Sequence, residues 1–178
     1  TSEDGGNLGA FLTQLFQEGD HLTLLRVFNE FSACSPKRSR DWCREHQINH
    51  RAMTKAVKIN EQLTRAAMSQ GINLTSCEDD FTLVLRSLVS GFFMNTASKE
   101  MDGSFKVFTT GQKLTIHPSS VMFQSPPETV SNYFLTINYF TLTIFLAAQI
   151  LFNELVRTNK MYARDVSSIK KSWLSELA

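Results

Sequence analysis

The sequence predicts an α+β chain in which helices come first and short strands follow. Three observations carry that prediction. Apolar residues recur at helical spacing between Asp20 and Ala67. An acidic knot, Glu78-Asp79-Asp80, separates that region from the rest. Beyond Met101 the period shortens and turn residues punctuate the runs. A chain of 178 residues can bury a real core in one or two small domains. We read a helical domain over residues 1–77 and a second domain, one helix and then short strands, over residues 78–178.

Residues 1–9 are polar and glycine-rich and read as loose chain. Leu8, Phe11, Leu12, Leu15 and Phe16 predict a short helix ended by Gly19. Asp20 is placed to cap the next helix, since its side-chain oxygen can accept an amide of the first turn. In that helix Leu22, Leu25, Phe28 and Phe31 form the apolar stripe, widened by Leu24. A basic connector follows and ends in a turn that carries Trp42, read as a buried anchor between two helices. The second long helix presents Met53, Ala56, Val57, Leu63 and Ala67, with Asn60 as a polar member. Arg51, Lys55, Lys58 and Arg65 fall mainly off that stripe, toward solvent or a partner. Gly71 is a natural stop, because the left-handed conformation past a helix end costs glycine nothing. Residues 74–80 read as a linker.

Residues 81–97 predict a helix with Leu85, Leu88, Val89, Phe92 and Phe93 in the core. Gly91 in its interior suggests a close backbone contact, since glycine there costs about 1 kcal/mol relative to alanine. Asp102-Gly103 marks a turn. Residues 104–108 and 113–117 then predict a pair of strands, ended by Pro118, which lacks a ladder donor. Residues 161–166 predict a further strand, and residues 169–174 a terminal element.

Eighteen basic residues balance seventeen acidic ones, for a net charge of +1, so the chain is not a polyelectrolyte. The charge is segregated. Glu3, Asp4, Glu18 and Asp20 make the start acidic. From Lys37 to Arg65, eight basic positions (37, 38, 40, 44, 51, 55, 58, 65) face three acids (41, 45, 61), a local excess of five. Cys34, Cys43 and Cys77 are odd in number and widely spaced, which fits reduced intracellular thiols and excludes a Cys-x-x-Cys zinc site. No secretory signal opens the chain at Thr1, and the absence of an initial Met suggests a fragment.

No phosphate loop and no Asp-Glu-Ala-His motif is present. We therefore expect no catalytic residue in this chain. His46 and His50 stand at helical i, i+4 spacing, but their connector context favours solvated or capping roles over metal ligation. Ser119-Ser120 reads as a turn whose hydroxyls bond to its own backbone, rather than as a nucleophile.

Three ordered blocks carry a resemblance. The first is Asp20-His21-Leu22-Thr23-Leu24-Leu25, then Asp41-Trp42-Cys43, then a helix ending Lys58-Ile59-Asn60-Glu61-Gln62-Leu63. The second is Leu88 to Met94, followed by Ile116-His117-Pro118-Ser119-Ser120-Val121. The third runs from Asn153 to Val166 and is completed by Trp173-Leu174. Together they resemble the helicase-associated C-terminal region of DEAH-box ATP-dependent RNA helicases. The resemblance covers most of the chain from Gly19 to Ala178.

That resemblance implies a ratchet-like helical domain followed by a small OB-fold barrel. It implies an RNA-dependent ATPase whose ATP and magnesium sites lie in two RecA-like domains absent from this chain. Its partners would be single-stranded RNA, those RecA-like domains in cis and glycine-rich-patch activator proteins. A nuclear or nucleolar setting in RNA processing, without a membrane, follows. On the implied barrel the candidate RNA-binding residues are Lys99, Lys106, Lys113, His117, Arg157, Lys160 and Arg164. Phe105 and Tyr162 are candidate stacking platforms, with Phe108 interleaved. A free-standing RNA-binding or adaptor protein without a motor is the first alternative.

One segment departs from the family pattern. No charged residue stands between Thr129 and Asn153, and residues 131–150 read as an uncharged insertion. Twenty apolar residues suffice to span a bilayer, so a membrane-anchored protein is the second alternative. Ser131, Asn132, Thr136, Asn138, Thr141, Thr143 and Gln149 make the segment a poor span. Removing residues 131–150 joins Val130 to Leu151 and gives a continuous strand like that of the family. The excess then interrupts a barrel strand, either as a translated intron or as a genuine insertion packed on the barrel.

Overall fold

The computed structural model describes residues 19–78, 80–127, 130–137 and 140–177. The short helix expected within residues 8–16 lies outside the described residues. The chain divides into two compact units, Thr23–Asp79 and Thr1–Leu22 with Asp80–Ala178.

In the helical unit the chain forms α1 (Asp20–Ala33, whose first turn belongs to the other unit), α2 (Ser39–Glu45) and α3 (His50–Ser69). The sequence reading of a tryptophan-bearing turn is replaced by the short helix α2. Its Trp42 is half-buried, with its ring 6.0 Å from that of Phe31 and tilted by 59°. The Phe31 ring is buried and also meets His50 edge-on at 5.9 Å. The His46 ring stacks on Trp42 at 4.4 Å, and its Nδ1 lies 2.8 Å from Trp42 O. Cys43 is buried beside these rings, and desolvation, with Cys34 as a second cause, pushes its thiol pKa up.

Helix α3 begins where the Asn49 side chain accepts the Ala52 amide at 3.0 Å. It ends in a Schellman arrangement. Gly71, at φ +74°, donates to Met68 O, and Ile72 donates to Ala67 O at 3.1 Å. The predicted apolar face survives in part. Met53, Ala56, Val57 and Ala67 are half-buried, Leu63 is 65 % exposed, and no residue of α3 is fully buried.

The second unit opens with α4 (Phe81–Gly91), capped by Asp80, whose carboxylate accepts the Thr82 amide. Leu85 and Val89 form its buried face. The predicted helix over residues 81–97 is cut short. Phe92 donates the last helical bond to Leu88 O, a 3-10 turn occupies Phe93–Asn95, and strand β1 takes Thr96–Lys99. Phe92 is 40 % exposed and Phe93 half-buried, so neither belongs to the core. Gly91 has open space where a Cβ would stand, so no close backbone approach explains it.

The strands are β2 (Phe105–Val107), β3 (Lys113–Ile116), β4 (Val130–Ile137), β5 (Phe140–Leu146), β6 (Gln149–Arg157) and β7 (Met161–Ile169). A closed barrel runs β1-β2-β3-β7-β6, and β6 returns to β1. Only the β3–β7 pairing is parallel. Ala97, Phe105, Val107, Leu114, Ile116, Met122, Ile150, Phe152, Ala163 and Val166 fill the interior. Alternation along β2 puts Phe105 and Val107 inside and Lys106 outside, as a half-buried strand requires. After β7 comes α5 (Lys171–Leu177), which buries Trp173 and meets α4 through the Arg86–Glu176 ion pair at 2.8 Å.

The first turn of α1 packs on this barrel. Asp20 was expected to cap its own helix. Its two carboxylate oxygens instead reach further, accepting the Val121 amide at 2.8 Å and the Val166 amide at 2.6 Å. Gly19 bridges to Ser167, and a Cβ there would fall on Val166 O, so only glycine fits. Residues 19–22 thus go with the barrel, although the sequence reading counted them in the helical domain.

The uncharged segment forms a hairpin. β4 pairs with β5 in a separate two-stranded sheet, and the five-stranded barrel closes without it. Its inner boundary differs from the expected one. Gln149 and Ile150 pair with Ser98 and Ala97 on one side and with Ile169 and Ser168 on the other. Ile150 is wholly buried, so the two residues belong to the barrel strand and not to the insertion. No helix among the described residues is long and apolar enough to cross a membrane.

Candidate nucleic-acid interface

In barrels of this strand order, oligonucleotides bind across the outer face of strands 2 and 3, between the loop joining strands 1 and 2 and the loop joining the last two strands. Here those loops are residues 100–104 and 158–160. The first is shaped by the turn predicted at Asp102-Gly103. Gly103 takes φ +81°, and Asp102 Oδ1 accepts the Ser104 amide at 3.0 Å.

The loops and the strand face enclose a shallow depression of about 270 Å³, lined by Ser104, Lys113, Leu114, Thr115, Lys160 and Met161. Lys106 stands directly opposite Lys113 across β2 and β3. Two of the predicted cations, Lys113 and Lys160, therefore line one concavity, and a third adjoins it. The Thr115 hydroxyl is buried there without a hydrogen-bond partner among the described residues. Opposite Thr115 in the parallel register is Tyr162, whose ring meets that of His117 edge-on at 5.6 Å. The His117 ring is fixed by its own turn, with Nδ1 accepting the Ser119 amide at 3.1 Å and lying 2.7 Å from Ser119 Oγ.

The electrostatics are less simple than a row of free lysines. Lys113 Nζ lies 2.8 Å from Asp102 Oδ2. The Lys113 ammonium, and then the Ser104 hydroxyl and amide, hold the Asp102 carboxyl far below the usual carboxylate range. The same pair raises the Lys113 pKa. An incoming phosphate must compete with Asp102 for Lys113, whereas no ion pair holds Lys106 or Lys160 among the described residues.

Other predicted positions do not line this depression. Lys99 is half-buried, and its Nζ donates to Pro127 O at 2.9 Å. Arg164 pairs with Glu154 at 3.0 Å across β6 and β7. Arg157 is exposed at the end of β6, opposite Met161. Phe105 is 1 % exposed, so its ring is core and offers no stacking face. Phe108, one residue past β2, is 49 % exposed. Asp102, Ser104 and Thr115 were not foreseen as part of the site. The Asp-Gly turn was legible, but nothing in its spacing says that it bends back onto Lys113.

The arrangement provides cations, hydroxyls and one aromatic pair suited to a phosphate-bearing strand. It is poorly equipped for chemistry. Ser119 and His117 touch, but the ring nitrogen facing the hydroxyl already accepts an amide. The hydroxyl of Ser120 accepts the Met122 amide at 3.1 Å, as a turn residue would. Among the described residues no group of His, Cys, Asp and Glu could hold a metal ion.

Comparison with known sequences agrees with this geometry. Residues 84–178 match the family described as oligonucleotide/oligosaccharide-binding (OB)-fold. The chain is 34 % identical over 165 residues to the human "Probable ATP-dependent RNA helicase DHX35", covering 91 % of the chain and 20 % of that protein. It is 32 % identical over 173 residues to the Arabidopsis thaliana "Pre-mRNA-splicing factor ATP-dependent RNA helicase DEAH10", covering 90 % and 21 % respectively. It is 32 % identical over 161 residues to the human "ATP-dependent RNA helicase DHX33", covering 90 % and 20 %. The chain thus spans about a fifth of the length of these curated relatives.

Proposed function

We propose, because the chain belongs to the OB-fold family and is similar over about nine-tenths of its length to ATP-dependent RNA helicases, that it serves as an RNA-contacting accessory to a motor. The observation that supports this best is the depression between the two barrel loops, with Lys113 and Lys160 in its wall and Lys106 beside it. Cations there gain affinity for phosphates by releasing condensed counterions. Tyr162 supplies an aromatic ring next to the cations, the combination by which OB barrels hold single strands.

In this reading the barrel grips single-stranded RNA sequence-tolerantly, and RecA-like domains in cis supply ATP hydrolysis with ATP and magnesium. The helical unit acts as the ratchet-like element, and glycine-rich-patch activators regulate it. All three relatives are named as ATP-dependent RNA helicases and one of them also as a pre-mRNA-splicing factor, which supports a nuclear role in RNA processing. The test is RNA-stimulated ATP hydrolysis by the full-length parent carrying Lys106→Gln and Lys113→Gln. Raised RNA demand with unchanged RNA-free hydrolysis is expected. Unchanged RNA dependence overturns the reading.

A further inference from the structure

The uncharged hairpin carries a surface that neither the barrel nor the RNA reading uses. Among the described residues β4 pairs only with β5, and β5 only with β4. Each strand therefore presents one outer edge of backbone donors and acceptors with no described strand beside it. An isolated two-stranded sheet is marginal in water, whereas three or more strands can be stable. The hairpin is also closely tethered, because only Ala147 and Ala148 separate β5 from β6.

The two edges differ. Pairing of β4 shifts register between Val130 and Tyr133, and such irregularities twist an edge away from a partner. From Phe140 to Ile144 the residues of β5 are matched one to one in unbroken register. Natural edges are guarded by lysine, proline or an inward-pointing charge. β5 reads Phe-Thr-Leu-Thr-Ile-Phe-Leu and has none of these. Its β-branched and aromatic residues suit a strand.

We infer that the β5 edge is a homodimer contact, to which β5 of a second copy adds antiparallel about a two-fold axis. Charge is the first reason for choosing a second copy. No charged residue stands between Thr129 and Asn153, so a charged strand added here would lose hydration and find no counter-charge, and another β5 brings no charge. Symmetry is the second reason, since a two-fold contact uses the same surface on both chains. With Thr143 on the axis, Leu142 stands opposite Ile144, Thr141 opposite Phe145 and Phe140 opposite Leu146. Within each hairpin Tyr133, Leu135 and Ile137 already stand opposite Ile144, Leu142 and Phe140. Alternation then assigns these positions of both copies to one face of a four-stranded sheet. The third reason is closure. Pairing uses both β5 edges and leaves only the irregular β4 edges outside, so the contact stops at two chains.

The test is sedimentation equilibrium of the whole chain over a concentration series. The mean mass should rise toward twice the monomer value and stop there. Thr143→Lys sets two ammonium groups against each other at the axis, and Thr143→Glu sets two carboxylates there. Like charges directly opposite destabilise a strand pair. Each variant alone should stay monomeric and keep the urea midpoint that the wild type shows when dilute. An equimolar mixture of the two should restore the dimer, which separates loss of contact from loss of fold. A Gly-Gly link in place of residues 131–145 should also hold the chain monomeric. A wild type that is monomeric throughout overturns the inference. Dimerisation of the Gly-Gly form does so too, because the interface then lies elsewhere. Failure of the mixture to associate rejects the Thr143 register, and growth beyond two chains rejects a closed contact.

Discussion

Asp20 accepts the backbone amide of Val166 at 2.6 Å, across 146 positions of sequence. Its other carboxylate oxygen holds the Val121 amide at 2.8 Å. The residue is only 7 % exposed, so little water could replace it. Bonds to charged acceptors contribute roughly 1.5–3 kcal/mol, and an orphaned buried donor costs about 1–3 kcal/mol. Asp20→Ala should therefore destabilise the barrel unit by about 2–4 kcal/mol, read as a lower urea midpoint with unchanged slope. A loss below about 0.5 kcal/mol, the scale of ordinary surface substitutions, would show that the carboxylate only decorates the surface.

His21 gives the same contact a pH dependence. Burial lowers its pKa, outweighing the opposing pull of Asp165 and then Asp20. A histidine whose folded pKa is depressed must shed its proton to fold. Its contribution is intact above the unfolded value of about 6.5 and is lost as pH falls below it. Between pH 7 and pH 5 the wild type should lose more stability than His21→Gln does. Parallel stability curves for the two proteins over that range would contradict the assignment.

The Asp102–Lys113 pair sets a sign for RNA binding. Reversing Lys106 and Lys113 together should weaken single-stranded RNA binding and flatten its salt slope. Asp102→Asn should do the opposite, since Lys113 would no longer be shared with a carboxylate. An anisotropy titration in which Asp102→Asn binds no tighter than wild type would mean that Lys113 faces no phosphate.

The hairpin should prove separable, within limits. Val130 stands opposite Leu146, so a Gly-Gly link can replace residues 131–145 without stretching the barrel. That replacement should retain a cooperative denaturant transition. Deleting residues 131–150 should lower the midpoint, because it also removes Ile150, which is 0 % exposed. Large-to-small losses at such sites run to about 2–5 kcal/mol. Equal midpoints for the two deletions would mean that β6 can begin at Leu151 after all.

Purified chain should show no ATP hydrolysis, because it carries neither a phosphate loop nor an Asp-Glu-Ala-His motif. Turnover that copurifies with the chain and disappears on substitution within it would refute this.

Much of the architecture was legible because it rests on local signals. Asp102-Gly103 and Pro118 bracketed β2 and β3. Gly71 located the end of α3. β1 was missed because Thr96-Ala97-Ser98-Lys99 is short and continues a helical stripe. Only its two neighbours, β2 and β6, make it a strand. The same limit applied to the site. The sequence named the cations, but Lys99, Lys113 and Arg164 acquire partners that spacing cannot reveal. Phe105 was mistaken for a stacking ring because aromatic composition does not say which side of a strand is wet.

Gly19 and Asp20 are stitched to Ser167 and Val166, and this has a mechanical consequence. Tension arriving along the chain before Gly19 is borne first by these bonds to β7, in the wall of the barrel. A pull on Gly19 that leaves them intact moves the first turn of α1 and β7 together. A pull that breaks them releases the start of α1 while β7 keeps its own pairing to β3 and β6. The stitch thus works as a fuse, setting the load above which motion upstream no longer reaches the barrel.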